Sequence, residues 1–455
     1  MVAIVLGVML LLTTTTGSAE LPGKEDAVRA PQAPQQVWYT FDNGLEIALV
    51  PIVSLLPPSR QKVAVVTFWE AGAHNDPAGS AGRSKLAAHL IPLCNAGNRS
   101  DLGYQQWQEI HGGRAEVRFG SRHTWIVEPV SPNKLLNTID VLADRFGKLK
   151  VTENNMTASR QWLESQIRTG RQGDLDRLMS KLLDRLDPLQ SGPRDRVDLD
   201  NLSVDQMQLF IDHAFTPRNT RIVIVGPFDP RPLLQAVEKK LSILSGGEVL
   251  TKPPVAIPVP GAVKTFTALD PDHGLVARGW RLPTLGTIEA LPLGLFVPRA
   301  RRALQQGHGS CSWDPFTEPG VLFVHQEVFG NEDFQPRSLD DALARLDASI
   351  HFAVTAPVEG GDYEGARKSI GIRLGAYRVH EEVSMVDPLP VAEVTLLRKI
   401  YKMEEAELQN NFGKNALRQL QRFHEKYLVQ EKTVSGTIVP PGIKARKNPG
   451  DARQR

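Results

Sequence analysis

Residues 245–262, SGGEVLTKPPVAIPVPGA, are dense in Pro and Gly, lack a helical period, and divide the chain into two stretches that run through β-rich and helical patterns in similar order. An order of elements repeated over about 180–210 residues marks a duplicated unit rather than one large sheet. The first stretch opens with VWYTFDNGLEIALVP, where two β-rich runs flank Asn43-Gly44, a hairpin signal. A strand from Lys62 leads through the turn-rich HNDPAGSAG into a helix, RSKLAAHLIPL, whose Leu86, Leu90 and Leu93 recur at helical spacing. Helical YQQWQEIHGG, the β-rich RHTWIVEPV, helices over 132–149, 152–187 and 203–214, the strand RIVIVGPF and a helix over 230–244 follow. The second stretch reads as a strand (LVARGWRLP), a helix near 287–306, strands through VLFVHQEVF and SIHFAVTAP, a helix after Pro336, a helical region over 390–426 and a closing strand, TVSGTIVP. The expected fold class is α+β, with two homologous domains, 36–244 and 263–441, joined by the 245–262 linker and followed by a basic tail, 442–455.

The charge balance is close, 53 Lys+Arg against 51 Asp+Glu, and hydrophobic residues make up 41% of the chain, as in soluble globular proteins. No basic stripe points to nucleic acid. An apolar run from Val2 to Leu12, followed by Gly17 and Ala19, reads as an export signal over residues 1–19. A periplasmic or other extracytoplasmic location is therefore expected, with membrane attachment only if that segment stays uncleaved. Cys94 and Cys311 are the only cysteines, and either one disulfide or two buried thiols fits them. No P-loop, G-x-G-x-x-G or C-x-x-C occurs. Ala78 to Gly82 nearly matches the G-x-S-x-G nucleophile elbow, but its first Gly is Ala and the duplicated order does not suit a hydrolase with one central sheet. His308-Gly309-Ser310-Cys311, with no second cluster, reads as a loop.

Taken in order, TFDNGLEIALVP, VAVVTFWEAGAHNDPAGSAG, LAAHLIPLCNAG, IHGGRAEVRFGSRHTWIVEPV and NLSVDQMQLFIDHAFTPRNTRIVIVGPFDPRPLLQAVEKKL resemble the first domain of the pitrilysin/insulinase-type zinc metallopeptidases, a family that includes the mitochondrial processing peptidase subunits. The resemblance covers about 200 residues, while the second half matches by architecture alone. It implies domains that each pack helices on one face of a mixed sheet and together form half of a clamshell. It also implies zinc held by H-x-x-E-H and a downstream Glu.

At the motif this chain reads His89-Leu90-Ile91-Pro92-Leu93. His89 remains as a vestigial ligand, Pro92 has no proton acceptor to activate water, and Leu93 has no lone pair for a metal. Pro92 also removes a helical hydrogen bond, so a kink is expected. Gln166 falls at the place of the third ligand; Glu164 lies roughly 200° away around the helix. Zinc binding would have to recruit His111 or Glu164, so no cofactor is expected. The family's second-domain Arg and Tyr correspond to ARRALQQGHGSCSW, where Arg301 or Arg302 stands for the arginine and His308 is the nearest replacement for the missing phenol. Ala115, Glu116, Val117, Arg118 and Phe119 match the edge strand that holds extended peptides, although Glu116-Val117 replaces the usual Asn-Ala. The resemblance thus implies a non-catalytic homologue acting as a structural or peptide-holding subunit beside an active zinc-peptidase paralogue or in a dimer with itself. A peptidase with an altered or shared site, and a stand-alone peptide-binding protein, are the alternatives.

Overall fold

The computed structural model of the chain describes residues 37–54, 56–77, 80, 82–96, 113, 115–120, 122–165, 170–187, 202–251, 257–263, 265–269, 272–283, 292–305, 308–313, 320–329, 338–359, 362, 388–401 and 416–440. The first half contains β1 (Val37–Thr40), β2 (Glu46–Pro51), β3 (Val63–Trp69), α1 (Arg83–Leu93), β4 (Asn95–Ala96), β5 (Glu116–Phe119), β6 (Thr124–Val130), α2 (Leu135–Lys148), β7 (Leu149–Lys150), α3 (Glu153–Ser165), α4 (Gly170–Leu186), α5 (Val204–Ala214), β8 (Thr220–Gly226) and α6 (Pro230–Lys240). The second contains β9 (Gly261–Ala262), β10 (Phe266–Thr267), β11 (His273–Arg281), α7 (Leu293–Gln305), β12 (Gly309–Trp313), β13 (Val321–Phe329), α8 (Leu339–Thr355), α9 (Pro388–Tyr401), α10 (Ala416–Tyr427) and β14 (Val434–Val439).

The two large sheets run β1-β2-β8-β3-β6-β5 and β10-β14-β11-β13-β12. In each, a parallel pair (β2 with β8, β10 with β14) is followed by three antiparallel pairs in the same order. The duplication expected from the sequence is therefore present over five strands of each sheet, with β1 added at β2 in the first and β9 at β14 in the second, and the fold class is α+β with two mixed sheets. The Asn43-Gly44 turn forms as its residues dictate. Gly44 takes φ 87°, open to glycine at little cost, and Asn43 accepts from the Leu45 N–H at 3.1 Å while donating to the Leu241 carbonyl at 2.7 Å.

β3 is buried at all seven positions, so it cannot be a strand with one wet face. On one side Ile47, Leu49, Val63, Val65, Ile222 and Ile224 pack on α2 and α6, and Trp69 and Ile126 join α1 and α5. On the other side Ala48, Val66 and Val223 meet Leu396 and Leu397 of α9, a helix from the second half. The exchange is reciprocal. Leu178, Leu182 and Leu186 of α4 cover Leu275, Ala277, Val434 and Ile438 of the second sheet, whose opposite face packs on α7, α8 and α10. The single helical layer implied by the resemblance thus describes each half's own helices; one exchanged helix covers each second face. The Pro/Gly segment is tied at both ends. Asn219 donates to the Glu248 carbonyl at 2.9 Å, and Arg185 donates to the carbonyls of Val259, Pro260 and Ala262.

Two expected elements differ. SIHFAVTAP is not a strand, because its first seven residues end α8, which buries Ala342, Leu346, Ile350 and Ala353 on one helical face and starts at the N-cap Ser338. Gly309 to Cys311, expected in a loop, begin β12, because pairing with β13 supplies the ladder that the small residues do not demand by themselves. Both cysteines are buried free thiols in different cores, and burial pushes each up to about 12. The export signal, most of YQQWQEIHGG and the tail from 442 lie outside the described residues. No described helix is long and apolar enough to cross a membrane.

Candidate functional site

The motif helix α1 has no capping side chain of its own at its N-cap, Gly82, which takes φ 89°. Asp76, from the preceding loop, does that work by accepting from the backbone N–H groups of Gly82 (2.6 Å) and Ser84 (2.7 Å) and from the Ser84 hydroxyl. Burial outweighs these donors and pushes the Asp76 carboxyl up to about 6. Ser80, the serine of the near-elbow, accepts from the Arg83 guanidinium at 2.8 Å and turns the chain into the helix.

Leu86 and Leu90 of α1 face the core, and His89 meets α3. Its Nδ1 lies 3.0 Å from the hydroxyl of fully buried Ser159. Its ring stacks on the Trp162 indole with centroids 3.9 Å apart and planes 11° from parallel. One turn on, Asn155 donates to the Leu93 carbonyl at 3.4 Å. Asn155, Ser159 and Trp162 recur at helical spacing and form the face of α3 turned to α1. Pro92 is buried at the penultimate helical residue; α1 ends at Cys94, whose N–H reaches the Leu90 carbonyl. The proline therefore costs a hydrogen bond in the last turn.

A catalytic zinc takes three protein ligands and keeps one open position. The residues here do not fit it. One imidazole is stacked on an indole and bonded to a hydroxyl, beside a proline and a leucine. Among the described residues no three His, Cys, Asp or Glu side chains gather to hold an ion. Glu164 lies off the α3 face that Asn155, Ser159 and Trp162 form, while Gln166 and His111 fall outside the described residues. The His89–Ser159 pair resembles a general base with a nucleophile, but Ser159 has no exposed surface with which to meet a substrate.

Arg301 and Arg302 sit on α7. Arg301 donates from Nε to the Cys311 carbonyl of β12 at 2.6 Å, and Arg302 lies 3.0 Å from Asp362. His308 is exposed, with φ 52°, just before β12. Their contacts named here are all within the second half.

β5 is the last strand in its sheet, and no described strand pairs with its outer side. Ala115 immediately precedes it. The Gly120 N–H donates to the His123 carbonyl at 2.8 Å, so alternation along the ladder makes Arg118/Trp125 and Glu116/Val127 the bonded pairs. The N–H and C=O groups of Val117 and Phe119 therefore point outward. Ala115 and Val117 pack toward α1. Glu116 and Arg118 share the opposite face, where Arg118 binds Glu116 at 2.7 Å and Glu393 of α9 at 2.5 Å above the Trp125 ring, 4.9 Å from its centroid. Sequence reasoning missed Ser159, Trp162 and Glu393. The only signal for the first two was a tryptophan three residues from a serine, beside the core residues Met156 and Leu163 of the same helix.

No family model and no curated protein matches the sequence. Solved structures do match by shape. A protease from Helicobacter pylori superposes with a TM-score of 0.71 at 13% identity, over 90% of this chain and 100% of that one. A peptidase M16 inactive domain from Pseudomonas fluorescens superposes at 0.70 and 11% identity, over 91% and 99%. The periplasmic protease PqqL from Escherichia coli superposes at 0.67 and 12% identity, over 92% of this chain but 49% of that chain. With pitrilysin also among the matches, the chain has the fold of the M16, pitrilysin-type peptidases.

Proposed function

We propose that this protein is a non-catalytic member of that peptidase family, exported from the cytoplasm, which holds extended peptides on the β5 edge beside an active zinc-peptidase paralogue. One observation carries the reading. The residues at the general-base and second-ligand positions are Pro92 and Leu93, and the remaining His89 is engaged by Trp162 and Ser159. Existence of the same fold as an M16 inactive domain in P. fluorescens supports it. Pairing is supported by the comparison with PqqL, which this chain matches over 49% of that chain's length. An obligate pairing would bury on the order of 2,000 Å² or more. Export is supported by the Val2–Leu12 run and by the periplasmic location of PqqL.

Elemental analysis and a peptide-cleavage assay on the purified mature chain test the reading. Substoichiometric zinc and no cleavage of an unstructured peptide are expected, together with copurification of an H-x-x-E-H paralogue from the native host. About one zinc per chain, lost in His89→Ala, would overturn it. A lone monomer, with the paralogue cleaving equally well without it, would leave a stand-alone peptide-binding protein.

A further inference from the structure

We propose that Glu116 selects, among extended peptides added to β5, those carrying Lys or Arg directly opposite it, an inference that rests on the edge-docking reading above. The Glu116 side chain is 56% exposed on the face away from α1. One of its oxygens, Oε1, accepts from Arg118. Its other oxygen has no hydrogen-bond partner among the described residues. Arg118 cannot serve as a counter-anchor for acidic peptides, because its charge is shared between Glu116 and Glu393 and its plane lies over Trp125. Counted together with Glu393 of α9, two carboxylates face the one guanidinium of this row.

A peptide strand bonded to the outward groups of Val117 and Phe119 sets alternate side chains over the row, with the one facing Glu116 about 5 Å away at Cβ. A basic side chain there meets the open oxygen, whereas an acidic one meets like charge. The Asn-Ala usual at the matching place in the family carries no such charge. Selection by Glu116 would thus be a property of this chain rather than of the fold.

Fluorescence anisotropy tests this with labelled eight-residue Val/Thr peptides carrying one Lys, Ala or Glu, each placed in turn at successive positions so that strand register is sampled. At about 20 mM salt the best Lys peptide should bind wild-type protein two- to fivefold more tightly than its Glu counterpart, with the preference shrinking at about 0.5 M. Glu116→Gln should erase the preference, and Glu116→Lys should reverse it. Circular dichroism identifies any variant that fails to fold, and Glu116→Gln, nearly isosteric, remains decisive if the lysine variant does not. Equal binding of Lys and Glu peptides by wild-type protein overturns the selection while leaving edge docking intact. Failure of wild-type protein to bind any peptide overturns both.

Discussion

His89 falls where the resemblance would place a metal ligand, and it has the surroundings of a structural residue. The motif spacing made its position legible in the sequence. Its partners were not legible, because the contact with Ser159 joins residues 70 apart on different helices, and local pattern carries no information at that range. Asp76 shows the same limit. It read as part of a turn, yet it caps α1 from eight residues before Ser84. With its carboxyl raised from 3.8 to about 6, the native state binds the proton more tightly than the unfolded chain does. The sign follows: this contribution is full below about pH 4, is lost as pH rises toward 6, and is flat beyond. The stability difference between wild type and Asp76→Asn should therefore decline by about 2–3 kcal/mol from pH 4 to pH 7. Urea denaturation at intervals across that range checks it, and a pH-independent difference would contradict the assignment.

Strands were legible wherever apolar runs were bounded by turns, as in β3, β8 and β13, and wherever Asn-Gly fixed a hairpin. The run SIHFAVT misled because Ile, Phe, Val and Thr favour strands, while the helical spacing from Ala342 to Ala353 that decides the matter begins upstream of it. At the edge, β5 predicts its own behaviour. Val117→Pro removes an outward N–H and no bond to β6, so peptide affinity should fall about tenfold or more while the melting temperature changes little. Arg118→Pro, which breaks the ladder itself, should unfold the edge, and comparing the two melting curves separates docking from stability. Among the helices, α4 offers the sharpest test of the exchange. Leu182→Ala in this first-half helix should cost about 2–5 kcal/mol, and hydrogen exchange should show the loss of protection in β11 and β14, where Leu182 packs.

The unit that folds is the whole chain rather than either sequence half. Expressed separately, 36–244 would leave Ala48, Val66 and Val223 without α9, and 263–441 would leave Leu275 and Ile438 without α4. Neither fragment should give a cooperative transition, whereas the intact protein should unfold in one step by both tryptophan fluorescence and circular dichroism. A sharp transition in either isolated fragment would show that the exchanged helices are dispensable. The exchange also imposes a schedule on synthesis. After α4 emerges at Leu186, roughly 250 residues, on the order of 10–50 s of translation at 5–20 residues per second, pass before Val439 completes the sheet it covers. Until α9 is made at Tyr401 the first sheet stays half-covered, and until β14 is made at Val439 the leucine-lined α4 lacks part of the sheet it covers. Completion of both sheets therefore waits on nearly the whole chain, and folding half by half is disfavoured.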